Sequence, residues 1–180
     1  MNKDKITQFI CFETTLNTNQ FMMQWNQYNK SSNSETDITL QQNEKNGVFK
    51  YVTQHRFEND ETQFMFTKPK KSSRVPEVSV KEKQAGGYSI IQTERKDDIH
   101  DGESKIFVFF ADSIYDFSEF KELCSKAKLN IYEAYYQNSK YSAILEIFVK
   151  NKDAANLVTA LKQHTNAEIG IYEACELATA

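Results

Sequence analysis

The sequence predicts an α+β protein of two consecutive βαββαβ units, with antiparallel sheets facing each other and helices outside. Three observations carry that expectation. Strand-type and helix-type patterns follow this order after residue 104, and repeat it more loosely before residue 95. The first strand of each unit is also apolar on both faces, so each sheet needs cover on both sides.

The second unit is the clearer one. Residues 105–111 (KIFVFFA) are a short apolar run of strand length. Asp116 is placed to cap a helix in which Phe117, Phe120, Cys124 and Ala127 recur at helical spacing. Residues 129–137 (LNIYEAYYQ) and 141–149 (YSAILEIFV) read as strands around an Asn138-Ser139 turn. Asn151 then caps a helix with Ala154, Leu157, Val158 and Leu161 on one face, and residues 167–175 close the unit as a strand. This order is the ferredoxin-like, or split βαβ, motif.

In the first unit, residues 6–16 form the opening strand, and Asn17 or Thr18 caps a helix carrying Phe21, Met22, Trp25 and Tyr28. Residues 37–42 and 48–57 make a hairpin around Asn46-Gly47. Residues 62–67 suit one more strand, and residues 68–74 a basic, Ser-rich loop. Residues 75–85 read two ways. Pro76 and Gly86 suit the ends of a helix, whereas Val78-Ser79-Val80 suits a strand. The repeat favours the helix, with residues 88–94 as the closing strand. The domains are therefore residues 1–95 and 105–180, with 96–104 as an acidic, turn-rich connector.

Both faces of the opening strands are apolar. Ile106, Val108 and Phe110 oppose Phe107 and Phe109, while Phe9 and Cys11 oppose Ile10 and Phe12. Helices cover one face of such a sheet, so the other packs against the sheet of the second unit, making an α+β barrel.

Bulk composition narrows function by exclusion. The chain has 180 residues, with 22 Lys+Arg against 25 Asp+Glu and a net charge of −3. No overall basic field exists to attract nucleic acid. With 13 Phe and 9 Tyr but only 5 Gly and 2 Pro, the chain has the apolar content of a folded domain. No apolar run reaches the roughly 20 residues of a membrane span. Cys11, Cys124 and Cys175 are far apart in apolar patterns, which predicts reduced thiols and a cytoplasmic setting. No metal-ligand spacing, phosphate loop or cofactor motif is present, so no cofactor is expected.

The chain resembles the dimeric α+β barrel superfamily, which includes the antibiotic-biosynthesis-monooxygenase-like proteins. The resemblance rests on FICFETTL in the first strand, the helix around Phe21 and Trp25, YVTQHRF at the hairpin's end, GGYSIIQ at residues 86–92 and KIFVFFADSIYDF at residues 105–117. It implies a tandem ferredoxin-like fold. Members include cofactor-independent monooxygenases, stress-response proteins and haem-degrading enzymes that set an Asn, a Trp and a His around the haem.

Candidate site residues are few. His55 shares a strand face with Phe49, Tyr51, Thr53 and Phe57, while Arg56 takes the opposite face. If the His55 face lines the barrel, His55 and Tyr51 become polar groups in an aromatic pocket, with His55 fit for acid–base work. Glu133, Glu146 and Glu173 interrupt apolar strands. They are read first as rim charges that block edge pairing, and second as carboxylates for general acid–base chemistry. The catalytic candidates are thus His55 and Glu146, and the ligand-lining candidates are Tyr51, His55, Phe107, Phe109 and Glu133. Residues 96–103 (KDDIHDGE) lack EF-hand spacing and read as a solvated connector. Lys68, Lys70, Lys71 and Arg74 read as a surface loop. The expected function is binding of a small apolar or aromatic ligand, without an evident catalytic motif. The alternatives are a cofactor-independent monooxygenase-like enzyme and an oligomerisation module that forms a homodimer through an apolar sheet face.

Overall fold

The first nine residues after Lys5, ITQFICFET, contain no Gly or Pro and extend as β1 (Ile6–Thr14), buried from Ile6 to Phe12. The computed structural model describes residues 6–30, 38–45, 49–57, 80–97, 99–112, 116–136 and 139–174. After β1 come α1 (Thr18–Lys30), β2 (Ile38–Lys45), β3 (Tyr51–Phe57) and β4 (Val80–Thr93). The second half contains β5 (Glu103–Phe110), α2 (Ser118–Leu123), β6 (Lys128–Ala134), β7 (Ala143–Lys150), α3 (Asn151–His164) and β8 (Glu168–Ala174).

Local chemistry sets the helix starts. The Asn17 side chain accepts from Gln20 N at 3.0 Å, and Gln20 Oε1 accepts from Asn17 N at 3.1 Å. This reciprocal pair satisfies two otherwise orphaned donors, so Asn17 is the cap of α1. Asp116 Oδ1 accepts from Ser118 N at 2.8 Å where α2 begins. Asn151 is not a cap, contrary to expectation. It is the first helical residue of α3, and its side-chain oxygen accepts from Ser104 Oγ at 2.6 Å.

The strands form a closed antiparallel barrel in the order β1-β3-β2-β8-β5-β7-β6-β4. First-half strands run β4-β1-β3-β2 and second-half strands β8-β5-β7-β6. The halves join through β2–β8 and β4–β6. Closure gives each of the eight described strands two neighbours, so none of them has a bare edge.

Residues 80–85 depart from the helix that the repeat favours. They open β4, which pairs with β1 from Thr14↔Val80 to Ile6↔Ser89, with one irregularity between Cys11 and Phe12. Without β4, the β1 backbone would lack partners on one side, and that demand outweighs the helix-type signals of Pro76 and Gly86. Residues 75–79, the strand expected at 62–67 and the loop at 68–74 lie outside the described residues.

The barrel wall separates three apolar regions. Ile106, Val108, Leu145 and Ile147 face α2 and α3, meeting Phe120, Ala154 and Leu161. Ile10, Phe12 and Tyr51 face α1, meeting Phe21, Met22 and Trp25. Phe9, Cys11, Tyr88, Phe107, Phe109, Tyr132 and Tyr172 fill the lumen. Phe9 is the hub of the lumen, edge-on to Tyr132, Tyr88 and Phe107 at 5.0, 5.5 and 5.8 Å. No helix among the described residues is long and apolar enough to cross a membrane.

Gly86 marks where β4 leaves room for an aromatic ring. A Cβ there would stand 2.9 Å from Tyr88 Cε2. The ring cannot easily yield, because Tyr88 OH donates to Tyr141 O at 3.1 Å and Phe9 packs against it. Gly86→Ala should therefore destabilise the fold by about 1–3 kcal/mol, the usual cost of overpacking. Urea denaturation checks this.

Candidate functional site

Alternation along β5 places Lys105, Phe107 and Phe109 on the lumen face, since Phe107 and Phe109 belong to the lumen cluster. Glu146 on β7 lies opposite Phe107, and Asn130 on β6 lies opposite Glu146. Gln54 enters from β3, opposite Phe9 on β1. Four strands thus bring a polar cluster into an otherwise aromatic interior.

The centre of the cluster is an ion pair. Lys105 Nζ lies 2.7 Å from Glu146 Oε1, and both side chains are 0% exposed. Gln54 bridges the pair, donating to Glu146 Oε1 at 2.9 Å and accepting from Lys105 Nζ at 3.0 Å. The other carboxylate oxygen, Oε2, accepts from Tyr132 OH at 2.7 Å and Asn130 Nδ2 at 2.9 Å. Burial alone would raise the Glu146 carboxyl, but the Lys105 ammonium and these donors outweigh it and hold it down at about 2. Burial and then the Glu146 charge push the Tyr132 phenol well above its ordinary range. The cluster therefore holds a carboxylate, an ammonium and a neutral phenol. Its fully engaged carboxylate is poorly placed to accept a proton.

The network continues to one end of the barrel. Asn130 Oδ1 accepts from the N–H groups of Glu94 and Arg95 at 3.0 and 3.1 Å, and Nδ2 donates to Arg95 O at 2.8 Å. Arg95 lies with its guanidinium carbon 4.5 Å from the Phe148 ring centre, and its Nη1 meets Glu103 Oε2 at 2.6 Å. Around it opens a groove of about 580 Å³, lined by Thr93, Glu94, Arg95, Lys96, Asp97, His100, Glu103 and Lys128. A second polar constellation lies on Tyr141. Tyr141 OH donates to Glu168 Oε2 and accepts from Lys140 Nζ, the latter at 2.6 Å.

The expected site residues divide between these regions. Phe107, Phe109 and Glu146 share the lumen. Glu146 is not the rim charge first expected, being fully buried and paired. Glu133 is exposed and Glu173 half-buried. Tyr51 and His55 face outward, beneath α1, rather than into the barrel. Tyr51 stacks on Phe21 at 4.0 Å. His55 packs against Trp25 at 5.4 Å, and its Nε2 lies 3.3 Å from Thr53 Oγ1. Unbroken alternation from Phe49, which does lie in the lumen cluster, would have put Tyr51 and His55 there too. A bend at Lys50 breaks the alternation before β3 begins, so Tyr51 starts on the opposite side. Gln54, Asn130, Tyr132 and Lys105 were missed. Lys105 had a usable signal, because it shares parity with Phe107 and Phe109 in KIFVFF.

Among the described residues, no group of three His, Cys, Asp or Glu side chains could hold a metal ion. The three histidines are also poorly placed to ligate a haem. His55 is buried against Trp25, His164 pairs with Glu119, and His100 pairs with Asp97 on an exposed loop at 3.5 Å. None offers a ring nitrogen to an apolar pocket, so no step is drawn through a haem.

The chain matches no protein-family model and no curated protein. Solved structures match its fold. Chlorite dismutase from Candidatus Nitrospira defluvii in complex with imidazole aligns with a TM-score of 0.56 at 8% identity, covering 95% of this chain and 92% of that one. A "putative monooxygenase" from Fusobacterium nucleatum aligns with a TM-score of 0.59 at 12% identity, covering 98% and 94%. The chain shares the ferredoxin-like α+β fold of these proteins. At such identities the likeness concerns the fold alone.

Two buried groups predict the acid limb of stability. Burial lowers His55 from 6.5 to about 4, so its contribution is complete above pH 6.5 and falls away as pH drops toward 4. Glu146 is lowered from 4.5, so its contribution is complete above pH 4.5 and is lost as pH falls toward about 2. Denaturation midpoints measured from pH 7 to pH 2.5 should therefore decline in two stages. His55→Gln should flatten the upper stage and Glu146→Gln the lower. A wild-type profile that stays flat from pH 6.5 to 4.5 would contradict the His55 assignment.

Proposed function

We propose that the chain is a ligand-binding α+β barrel of two fused ferredoxin-like units, residues 1–95 and 105–180, joined by residues 96–104. Its ligand occupies the groove beside Arg95 rather than the space between the sheets. The observation that carries this reading is the groove itself. Its volume of about 580 Å³ is in the range of small-molecule sites, and Asn130 of the buried network fixes the backbone of its rim. The matching strand orders β4-β1-β3-β2 and β8-β5-β7-β6 support the fused-unit reading.

The apolar or aromatic ligand expected between the sheets has a poorer case. Phe107 and Phe109, which were to line its pocket, pack 5.8 Å apart and against Phe9, Tyr172, Phe49 and Tyr141. Ring-to-ring contact takes the place that a ligand would need. A monooxygenase-like enzyme draws support from the fold shared with the Fusobacterium protein. It would require an enclosed cavity for an organic substrate and oxygen, which those same contacts disfavour. A homodimer formed through an apolar sheet face also has less support, because the lumen faces of both halves already meet inside one barrel. The buried thiol of Cys124 suits a reducing, cytoplasmic compartment.

The test is a fragment titration of the isotopically labelled full chain by NMR, using benzoate, benzamide and benzylamine. Amide shifts should cluster at residues 93–103 and 128. Shifts centred on Phe107, Phe109 and Tyr132 would overturn the reading in favour of a lumen site.

A further inference from the structure

The side chains around the groove differ in what they have left to offer a ligand. Its acids are engaged. Glu94 accepts from Gln92 Nε2 through Oε1 and from Leu129 N through Oε2, both at 3.0 Å. Glu103 Oε2 accepts from Arg95 Nη1 at 2.6 Å and from His100 N at 3.0 Å. Asp97 Oδ2 lies 3.5 Å from His100 Nε2. The bases are not all engaged. Lys96 and Lys128 are exposed, and neither side chain makes a hydrogen bond or ion pair among the described residues. They stand at the same end of the barrel, because β4 and β6 pair as Thr93↔Asn130 just before Lys96 and just after Lys128. The donors left available at the groove are therefore cationic, while both oxygens of Glu94 and one of Glu103 already accept from internal donors.

We propose that this groove binds a small organic anion, carrying a carboxylate or phosphate group, that Lys96 and Lys128 hold from two sides. The proposal rests on the groove being the ligand site and adds the charge class of its ligand. A metal cation is a poor match, because no set of three metal-ligating side chains occurs among the described residues. A nucleic-acid strand is a poor match too. Among the described residues the groove is lined by no Phe, Tyr or Trp on which a base could stack, and the chain's net charge is −3. Because both lysines are exposed, binding should weaken as salt rises.

A charge series on one four-carbon frame tests this directly. Succinate, succinamide and 1,4-diaminobutane are titrated into the labelled full chain at low salt, with inorganic phosphate as a further arm. Succinate, phosphate or both should shift amides of residues 93–103 and 128, whereas succinamide and the diamine should not. The double variant Lys96→Ala/Lys128→Ala should weaken anion binding about tenfold or more, a loss of roughly 1.4 kcal/mol. Lys152→Ala, an exposed lysine on α3, should leave binding unchanged. A tighter response to phosphate than to succinate, or the reverse, identifies the headgroup within the proposal. If succinamide or the diamine shifts the groove as strongly as succinate, the anion inference falls while the groove remains the ligand site. The inference also falls if none of the four probes acts there while aromatic fragments do. If every probe shifts residues elsewhere, the groove reading itself falls.

Discussion

A carboxylate and an ammonium held out of water inside a closed barrel impose the strictest demand in this molecule. Each ion costs several kcal/mol to bury, and their attraction offsets that cost only if their remaining hydrogen-bonding positions are satisfied. Glu146 meets Lys105, Gln54, Asn130 and Tyr132. Those partners come from β3, β5 and β6, so the demand fixes side chains on both halves of the chain at once. Gln54 alone among them belongs to the first half, and it touches both members of the pair. Asn130 extends the same constraint to the Glu94–Arg95 backbone at the groove. The ligand site proposed here is thus set by a network that the ligand itself does not reach.

The aromatic rings meet a different demand. A closed wall of eight strands encloses a lumen that must be filled, and its outer face must be covered by helices. Phe and Tyr fill the lumen at edge-on contacts near 5–6 Å, while Ile, Val and Leu dominate beneath α2 and α3. The many Phe and Tyr residues are explained by this packing before any pocket is invoked. The groove proposed as the ligand site lies instead at the barrel's end, among charged residues.

The second half of the fold was legible because its strands are short, apolar and separated by compact turns, and its helices keep apolar spacing. The closing pairs β4–β6 and β2–β8 were not legible, because residues far apart in sequence meet there without a local signature. Residues 80–85 were misread because helix-end signals at Pro76 and Gly86 are weaker than the need of β1 for a second partner. Tyr51 and His55 were turned to the wrong side because a bend at one residue, Lys50, inverts every later position on the strand. Glu146 was visible as a break in an apolar run, but the run could not reveal that Lys105 reaches it diagonally from the neighbouring strand. The connector 96–103 was read as solvated; its Lys96, Asp97 and His100 are exposed, and with Glu103 they form part of the groove lining.

The measurement that bears most directly on this account is a double-mutant cycle on the buried pair, read by urea denaturation at neutral pH. Lys105→Met or Glu146→Leu alone leaves one charge buried without its partner, and each should cost about 3–5 kcal/mol. The double variant removes both charges and should be more stable than either single variant, giving a large favourable coupling. Small single effects of about 1 kcal/mol or less that simply add would contradict the claim that this ion pair constrains the barrel.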